Sequence, residues 1–259
     1  MIHTEFTSRY TSDKEETLLL RRINDLLNQS RKQYSAVYSH FLDPAQQMLI
    51  SSVSEFLGYI DFVGGYDDAE RRLCRVRFEE YCNDEGSPIV VFSVNPTMKG
   101  AELSHRDVLG SLMGLGIKRE MIGDIIAGGN TAQFFCHSSD AEHIELSLEK
   151  ISRYNVNLKR ISTADIIPPA YRERTINVSS MRLDCIVSEC FGISRSKAAE
   201  QIKKGLAAVN WIVTTDVSKE IKPGDRISMR GKGKVNITSI SGVSKKGRLF
   251  VTIAEPETR

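Results

Sequence analysis

Near its C-terminal end the sequence reads MRLD at Met181–Asp184, GISRSKA at Gly192–Ala198, IKKG at Ile202–Gly205, VN at Val209-Asn210 and IKPGDRI at Ile221–Ile227. Apolar residues at helical spacing predict one helix before the second of these blocks and another helix starting within it. Segments with strand character, separated by Pro and Gly, come next. We therefore expect two short helices followed by several strands.

The second helix is expected to cover Arg195–Lys203, with Ser194 as its N-cap and Gly205 just beyond its end. The first turn of a helix presents free backbone N–H groups and the positive end of the helix dipole, which attract anions. Acidic residues suit this turn better than the basic Arg195 and Lys197 found there. These two cations therefore indicate a phosphate-binding site, with a solvated basic face as the alternative.

Three further cations flank this helix start: Lys203 and Lys204 at the end of the second helix, and Arg182 at the start of the first. Arg182 lies two residues before Asp184. A pairing or capping role inside the domain is the alternative for Arg182, and it is the favoured role for Asp184.

The blocks, in this order, resemble the S4 RNA-binding domain over about residues 179–240. An Arg-Leu-Asp helix start, a Ser-Arg-Ser-x-Ala second helix and a Pro-Gly-Asp lead into a strand recur in that family. The resemblance implies binding of structured RNA, which is recognised mainly through its backbone and shape. It also implies that the RNA contacts include Arg182, Arg195, Lys197 and Lys203.

The whole chain is predicted to be an α+β protein of three parts. Residues 1–85 form a mostly helical N-terminal domain, in which Ser12 and Asp43 are the expected N-caps of two helices. Residues 179–259 form the S4 domain. The Pro-Pro segment at 167–170 is typical of a boundary ahead of it.

Residues 86–175 follow the order strand, helix, strand, strand, helix, strand. This is the split βαβ arrangement of an RRM-like (ferredoxin-like) domain, and Ser139 is the expected N-cap of its second helix. Its first strand, Val91–Asn95, resembles the RRM strand whose exposed aromatic stacks on a base. Phe92 and Phe134 are the candidates for such stacking, although a core position is the favoured interpretation for both.

Two further blocks, Leu103–Gly110 and Gly114–Ile125, together with the S4 pattern resemble the YlmH family. Its members are S4 proteins with an RRM-like central domain, often encoded near bacterial cell-division genes. The resemblance implies binding to the ribosome or to rRNA and tRNA. A member of this family is similar to the small S4 factor that binds dissociated large subunits carrying stalled peptidyl-tRNA in ribosome quality control.

Four residues of the central domain are added as RNA-contact candidates: His105, Arg106, Lys118 and Arg119. His105 could serve as an acid or base, but the sequence places no nucleophile or carboxylate partner beside it. We expect a surface contact or a helix-cap position instead.

The net charge of +2 conceals an uneven distribution. Residues 179–259 contain 15 Lys and Arg against 8 Asp and Glu, whereas the first 178 residues contain 20 against 25. A basic C-terminal part of this kind favours a polyanionic partner.

Several classes of protein are not expected. No apolar run approaches the roughly 20 residues that span a bilayer, and the start MIHTEFTSRY lacks a secretory pattern. The five cysteines never form Cys-x-x-Cys, and the histidines show no zinc-ligand spacing. We expect a reduced cytoplasmic protein with no membrane partner, metal or cofactor.

An enzyme is also not expected, although alternatives stay open. Arg-Leu-Asp occurs around the catalytic aspartate of pseudouridine synthases, but only 75 residues follow Asp184. The glycines at 110, 114 and 116 lie in or just after a predicted helix, which does not suit a methyltransferase cofactor loop. The remaining alternatives are an rRNA- or tRNA-modifying activity within the first 178 residues and an interaction with division-associated proteins.

Overall fold

The computed structural model describes residues 4–79, 82–128, 130–162, 171–244 and 247–256. The chain divides into two compact units, residues 1–168 and residues 169–258. Both N-terminal parts expected from the sequence lie in the first unit, so their separation into two domains stays a prediction. The boundary segment expected at 167–170 lies outside the described residues.

The N-terminal part of the first unit pairs two helices with a small antiparallel sheet of order β1-β3-β2. Its elements are α1 (Lys14–Gln33), β1 (Val37–Leu42), α2 (Pro44–Ser51), β2 (Ile60–Val63) and β3 (Arg72–Val76). The strand β1 makes this part less helical than expected. Polar Ser39 obscures the strand in the sequence, yet it is buried because its hydroxyl accepts the Cys74 N–H at 2.8 Å.

The helix starts follow local hydrogen bonding. Asp43 caps α2 in a capping box with Gln46, as the sequence predicts. The prediction of Ser12 as a cap is wrong, because the carboxylate of Asp13 accepts the first free N–H groups of α1. Ser139 is likewise replaced as a cap by His137, whose ring Nδ1 accepts the Ser139 N–H at 3.2 Å.

The central part of the first unit is an antiparallel sheet of order β5-β6-β4-β8-β7 with two helices. Its elements are β4 (Ile89–Pro96), α3 (His105–Gly114), β5 (Ile122–Gly128), β6 (Thr131–His137), α4 (Ser138–Ser147), β7 (Lys150–Ile151) and β8 (Tyr154–Ile161). Strands β5, β6, β4 and β8 stand in the order of a split βαβ fold. The α+β prediction is confirmed.

The two faces of this central sheet are both covered where its strands meet. Phe92 and Val94 of β4 pack against α3 and α4. On the opposite face, Val91 and Phe135 pack against Phe41 and Leu73 of the N-terminal sheet and form a second apolar cluster with them. The N-terminal sheet therefore lies on the side of the central sheet that carries no helix.

A polar network fastens the two sheets together. The Asp124 carboxylate accepts the Tyr66 hydroxyl at 2.8 Å and the Arg71 backbone N–H at 3.0 Å. The Arg71 guanidinium donates to the carbonyls of Ile122 and Phe41 at 2.9 and 3.0 Å. A side chain at Gly123 would collide with Phe41 and Phe135, so this close approach requires glycine.

The second unit packs two helices on a six-stranded antiparallel sheet of order β11-β10-β12-β13-β14-β9. Its elements are β9 (Tyr171–Val178), α5 (Leu183–Phe191), α6 (Arg195–Lys203), β10 (Ala207–Val209), β11 (Ile212–Val213), β12 (Arg226–Met229), β13 (Gly233–Val243) and β14 (Leu249–Pro256). Both helices are where the sequence predicts them. Cys185 and Cys190 of α5 are buried in the core of this unit.

Two details of this unit differ from expectation. The sequence assigns residues 171–175 to the central domain, but β9 pairs along its whole length with β14 and therefore belongs to the second unit. Ala208–Val213 reads as one strand in the sequence. The structure instead forms the hairpin β10–β11 around a two-residue turn at Asn210-Trp211.

Candidate nucleic-acid interface

The starts of α5 and α6 are joined by a buried carboxylate. Asp184, in the first turn of α5, is 4% exposed. Arg195 Nε donates to its carboxylate at 2.8 Å and Arg182 Nε donates to it at 3.1 Å. Burial alone would raise the pKa of Asp184, but the hydrogen bonds and charges of the two arginines outweigh it and hold the pKa below its usual range.

This arrangement corrects one step of the sequence argument. A cation in the first turn of α6 was expected to require an external anion, but for Arg195 the anion is Asp184 of the same unit. The hydrogen bond raises the pKa of Arg195. It uses only Nε, and just over half of the side chain stays exposed. Asp184 therefore orients Arg195 while leaving the outer edge of its guanidinium accessible.

Lys197 lies in the first turn of α6, where the sequence predicts an RNA contact. Its side chain is exposed, and within the described ranges it forms no ion pair. Its backbone N–H is bound by the Ser194 hydroxyl at 3.3 Å, so Ser194 is the N-cap of α6, as predicted.

The end of α6 carries two exposed lysines with different partners. Lys204 pairs with Glu200 one turn earlier, with 2.6 Å between Nζ and Oε1. Lys203 forms no ion pair with any residue that the structure describes. Lys197 and Lys203 are thus the two predicted contact lysines of α6 that form no ion pair with a described residue, although the charge of Lys197 helps to lower the pKa of Glu200 one turn later.

The four central-domain candidates do not form one cluster. His105 and Arg106 are exposed in the first turn of α3, whereas Lys118 and Arg119 follow the end of that helix. Eight helical residues lie between Arg106 and the end of α3, which corresponds to about 12 Å along the axis. In the sequence, the helix predicted between the two pairs is the sign of this separation.

Arg119 differs from the other three candidates because it is bound to its own backbone. Its guanidinium donates to the carbonyls of Ile122 and Gly123 at 2.7 and 3.4 Å. Burial, together with the neighbouring Arg71, lowers the pKa of Arg119 to about 10. Lys118 and Arg119 line a cleft of about 680 Å³ that acidic residues also line, including Asp25, Asp43 and Glu120.

The RRM-like aromatics are core residues, as favoured from the sequence. Phe92 and Phe134 are fully buried and stack on each other with ring centroids 5.3 Å apart. On the other face of the sheet, Val91 and Phe135 are covered by Phe41 and Leu73. Base stacking therefore does not occur at these positions of the central sheet.

The sequence analysis missed two features of this unit. One is the hydrogen bond from Arg195 to Asp184, and the other is the position of Trp211. Trp211 lies in the β10–β11 turn with a positive φ of 65° and is 37% exposed. A Trp after Asn, where a tight turn favours Gly, is the signal that could have identified it.

The described ranges show neither a metal centre nor a helix that could span a membrane. They contain no group of three or more His, Cys, Asp or Glu side chains that could hold a metal ion. None of the helices described there is long and apolar enough to cross a membrane.

Comparison with known families agrees with the division seen in the structure. A model described as the putative RNA-binding domain in YlmH matches residues 83–165, and the S4 domain model matches residues 181–227. The first match covers the central sheet of the first unit. The second covers α5, α6 and the strands β10 and β11, and it ends within β12.

Two individual proteins are similar to the chain. The solved structure titled cell division protein ylmH from Streptococcus pneumoniae covers 61% of this chain and 98% of its own, with a TM-score of 0.50. At 18% identity it shows the fold alone. Ribosome-associated protein quality control protein P2 of Bacillus subtilis (strain 168) is 35% identical over 230 residues, which are 86% of this chain and 88% of that protein. The chain therefore belongs to the YlmH family.

Proposed function

We propose that this protein binds RNA through its S4 unit and acts in ribosome quality control in the cytoplasm. The observation that carries the proposal is the start of α6, where Lys197 is exposed and forms no ion pair with a described residue, and Asp184 holds Arg195 with its outer edge accessible. The name of the Bacillus subtilis relative, a ribosome-associated quality control protein, supports the setting.

The proposed target is ribosomal RNA or a large ribosomal subunit that carries tRNA. The contact set consists of residues along α5 and α6: Arg182, Ser194, Arg195, Lys197, Lys203 and Lys204. A helix start with free N–H groups and adjacent cations suits phosphate groups presented by folded RNA. His105, Arg106 and Lys118 form a secondary contact set on the first unit, and Arg119 contributes at most through the cleft that it lines.

The proposed role is binding rather than catalysis, because the matched domains and the named relative describe association with RNA and ribosomes. We do not propose a division-associated partner. The structure titled a cell division protein is 18% identical, so it supports the fold and nothing more.

Co-sedimentation with ribosomal subunits tests the proposal. Full-length protein is centrifuged with large subunits, with and without bound tRNA, and with small subunits. We expect it to pellet with large subunits and most strongly with those that carry tRNA. Lys197→Ala with Lys203→Ala should weaken this by about tenfold or more, since charge-assisted contacts contribute roughly 1.5–3 kcal/mol each.

The matched control removes two exposed lysines from the first unit, as Lys14→Ala with Lys32→Ala, which changes the net charge equally. This variant should pellet like the unaltered protein. Equal losses in both variants would mean that only net charge matters, and no association with either subunit would refute the proposal.

A further inference from the structure

Trp211 occupies a backbone position that disfavours it. The two-residue turn between β10 and β11 places Asn210 at a φ of 49° and Trp211 at a φ of 65°. Hairpin turns with two positive φ values favour Asn followed by Gly. Asn210 suits its place, but a bulky side chain at the second position is strained.

The surrounding contacts hold the turn in this conformation. The Asn210 side chain donates to the Asp225 carboxylate at 2.7 Å and accepts the Arg226 N–H at 2.9 Å. The Asn210 backbone N–H donates to the Arg226 carbonyl at 2.8 Å. Strain that is maintained by its surroundings in this way is characteristic of functional positions.

The indole of Trp211 is packed on one side and accessible on the other. The Arg226 guanidinium lies 5.0 Å from the ring centroid, and Arg226 is itself 9% exposed. Trp211 keeps 37% of its surface exposed, and its neighbours Ile212 and Val213 keep 52% and 61%. The hairpin tip therefore presents an aromatic surface. The Arg226 guanidinium supports the opposite side of the ring.

This apolar tip adjoins a basic part of the same unit. Val213 Cγ1 lies 3.5 Å from the position that a Cβ on Gly205 would take, directly after Lys203 and Lys204 at the end of α6. A hairpin with an exposed aromatic that packs next to a lysine-bearing helix end suits unpaired nucleotides, because bases stack on the ring while cations contact the backbone. A purely apolar partner would leave the charge of Lys203 without a counterpart among the residues that the structure describes.

We propose that the exposed face of Trp211 stacks on an unpaired nucleobase of the RNA bound by the S4 unit. The inference rests on the proposed RNA binding, since the base arrives only as part of that RNA. It adds a preference for RNA with unpaired residues next to its folded part.

The chain contains a single Trp, so its fluorescence reports on this site alone. Full-length protein is titrated with an RNA hairpin that has an adenine-rich loop, and separately with a fully paired duplex of equal length. We expect the hairpin to quench the emission over the concentration range in which it binds, as measured by anisotropy of a labelled RNA. Binding of the hairpin without any change in Trp emission would overturn the inference.

Two substitutions at the turn separate stacking from structure. In Trp211→Gly the turn keeps a residue suited to positive φ but loses the ring, so hairpin affinity should fall about fivefold or more. Duplex affinity should stay unchanged. Trp211→Phe retains an aromatic face and should retain most of the affinity. Equal hairpin affinity in the Gly variant and the unaltered protein would refute stacking.

A parallel titration of Lys197→Ala with Lys203→Ala tells the two proposals apart. If these lysines matter and Trp211→Gly does not, only the stacking inference fails. If neither variant changes RNA affinity, the proposed S4 contact fails as well. The fluorescence titration uses the unaltered chain, so it decides the question even if a variant does not fold.

Discussion

The central sheet and the S4 unit both match domains associated with RNA binding, yet they differ in what they expose. In the central sheet, one face packs on α3 and α4, and part of the other face is covered by Phe41 and Leu73 of the N-terminal sheet. In the S4 unit, Lys197 and Lys203 of α6 remain exposed. Likeness of fold thus identifies a family without locating its binding surface.

Cations in the two regions also differ in their partners. Arg71 and Arg119 of the first unit donate to backbone carbonyls, and burial lowers the pKa of both. Arg195 of the S4 unit is held by Asp184 with its outer edge exposed. A basic residue therefore counts toward an RNA surface only after its own hydrogen bonds are known.

The largest expected effect is obtained by separating the two units. A fragment from residue 169 to the C-terminus should retain most of the RNA affinity, whereas residues 1–168 should bind about a hundredfold more weakly. That difference is about 2.7 kcal/mol, which corresponds to the loss of one or two charge-assisted contacts. Fluorescence anisotropy with one labelled rRNA fragment measures both.

The starting residue of the fragment is important, because Ile176 and Val178 of β9 belong to the core of the second unit. A fragment that begins at residue 179 lacks this strand and should melt at a lower temperature. If residues 1–168 alone bind RNA as tightly as the full chain, the binding surface lies on the first unit and not on the S4 unit.

A smaller effect is expected from removing the charge of Asp184. Asp184→Asn leaves two arginines without their carboxylate and should lower the free energy of unfolding by about 2 kcal/mol, as for a partly exposed ion pair. RNA affinity should fall although the net charge becomes more positive, because Arg195 loses its orientation. Glu189→Gln, which breaks an exposed pair with Arg248, is the matched control and should change little.

The pH dependence of this pair has a defined sign. The pKa of Asp184 is lower in the folded protein than in the unfolded chain, where it is about 3.9. The stabilisation is therefore complete above that value and is lost as the pH falls through the folded pKa. Urea unfolding between neutral and acidic pH should show this loss in the unaltered protein and not in Asp184→Asn.

The RNA affinity of the same variant provides the contradicting outcome. If Asp184→Asn binds RNA more tightly than the unaltered protein, Asp184 only neutralises the positive charge of the site and does not orient Arg195.

The smallest effect concerns the RRM-like aromatic of the central sheet. Phe92→Leu should destabilise the first unit by about 1 kcal/mol, as a hydrophobic exchange in a packed core does. The RNA affinity of the folded protein should remain unchanged, because Phe92 is fully buried. If the variant melts at the normal temperature but binds RNA more weakly, the central sheet contacts RNA and this prediction is wrong.

Most of the fold could be predicted from local signals. Ser194, the Asp43–Gln46 box and the order of strands and helices in the central sheet are encoded by neighbouring residues. β1 and the pairing of β9 with β14 could not be predicted, because both depend on partners distant in the sequence.

The candidate site was predictable in residue type but not in its hydrogen bonding. The S4 blocks identify Arg195 and Lys197 equally, yet only Arg195 has Asp184 within 2.8 Å. That difference depends on how α5 and α6 pack. The coverage of the central sheet likewise depends on Phe41 and Leu73, far from Val91 in the sequence.

The central claim is that the exposed cations of α6 contact RNA phosphates, and the salt dependence of binding tests it most directly. The slope of log affinity against log salt is measured for the unaltered protein and for Lys197→Ala with Lys203→Ala. Each lost phosphate contact should reduce the slope by about 0.7–0.9, so the double variant should lose roughly 1.4–1.8. An unchanged slope, together with unchanged affinity, would contradict the claim.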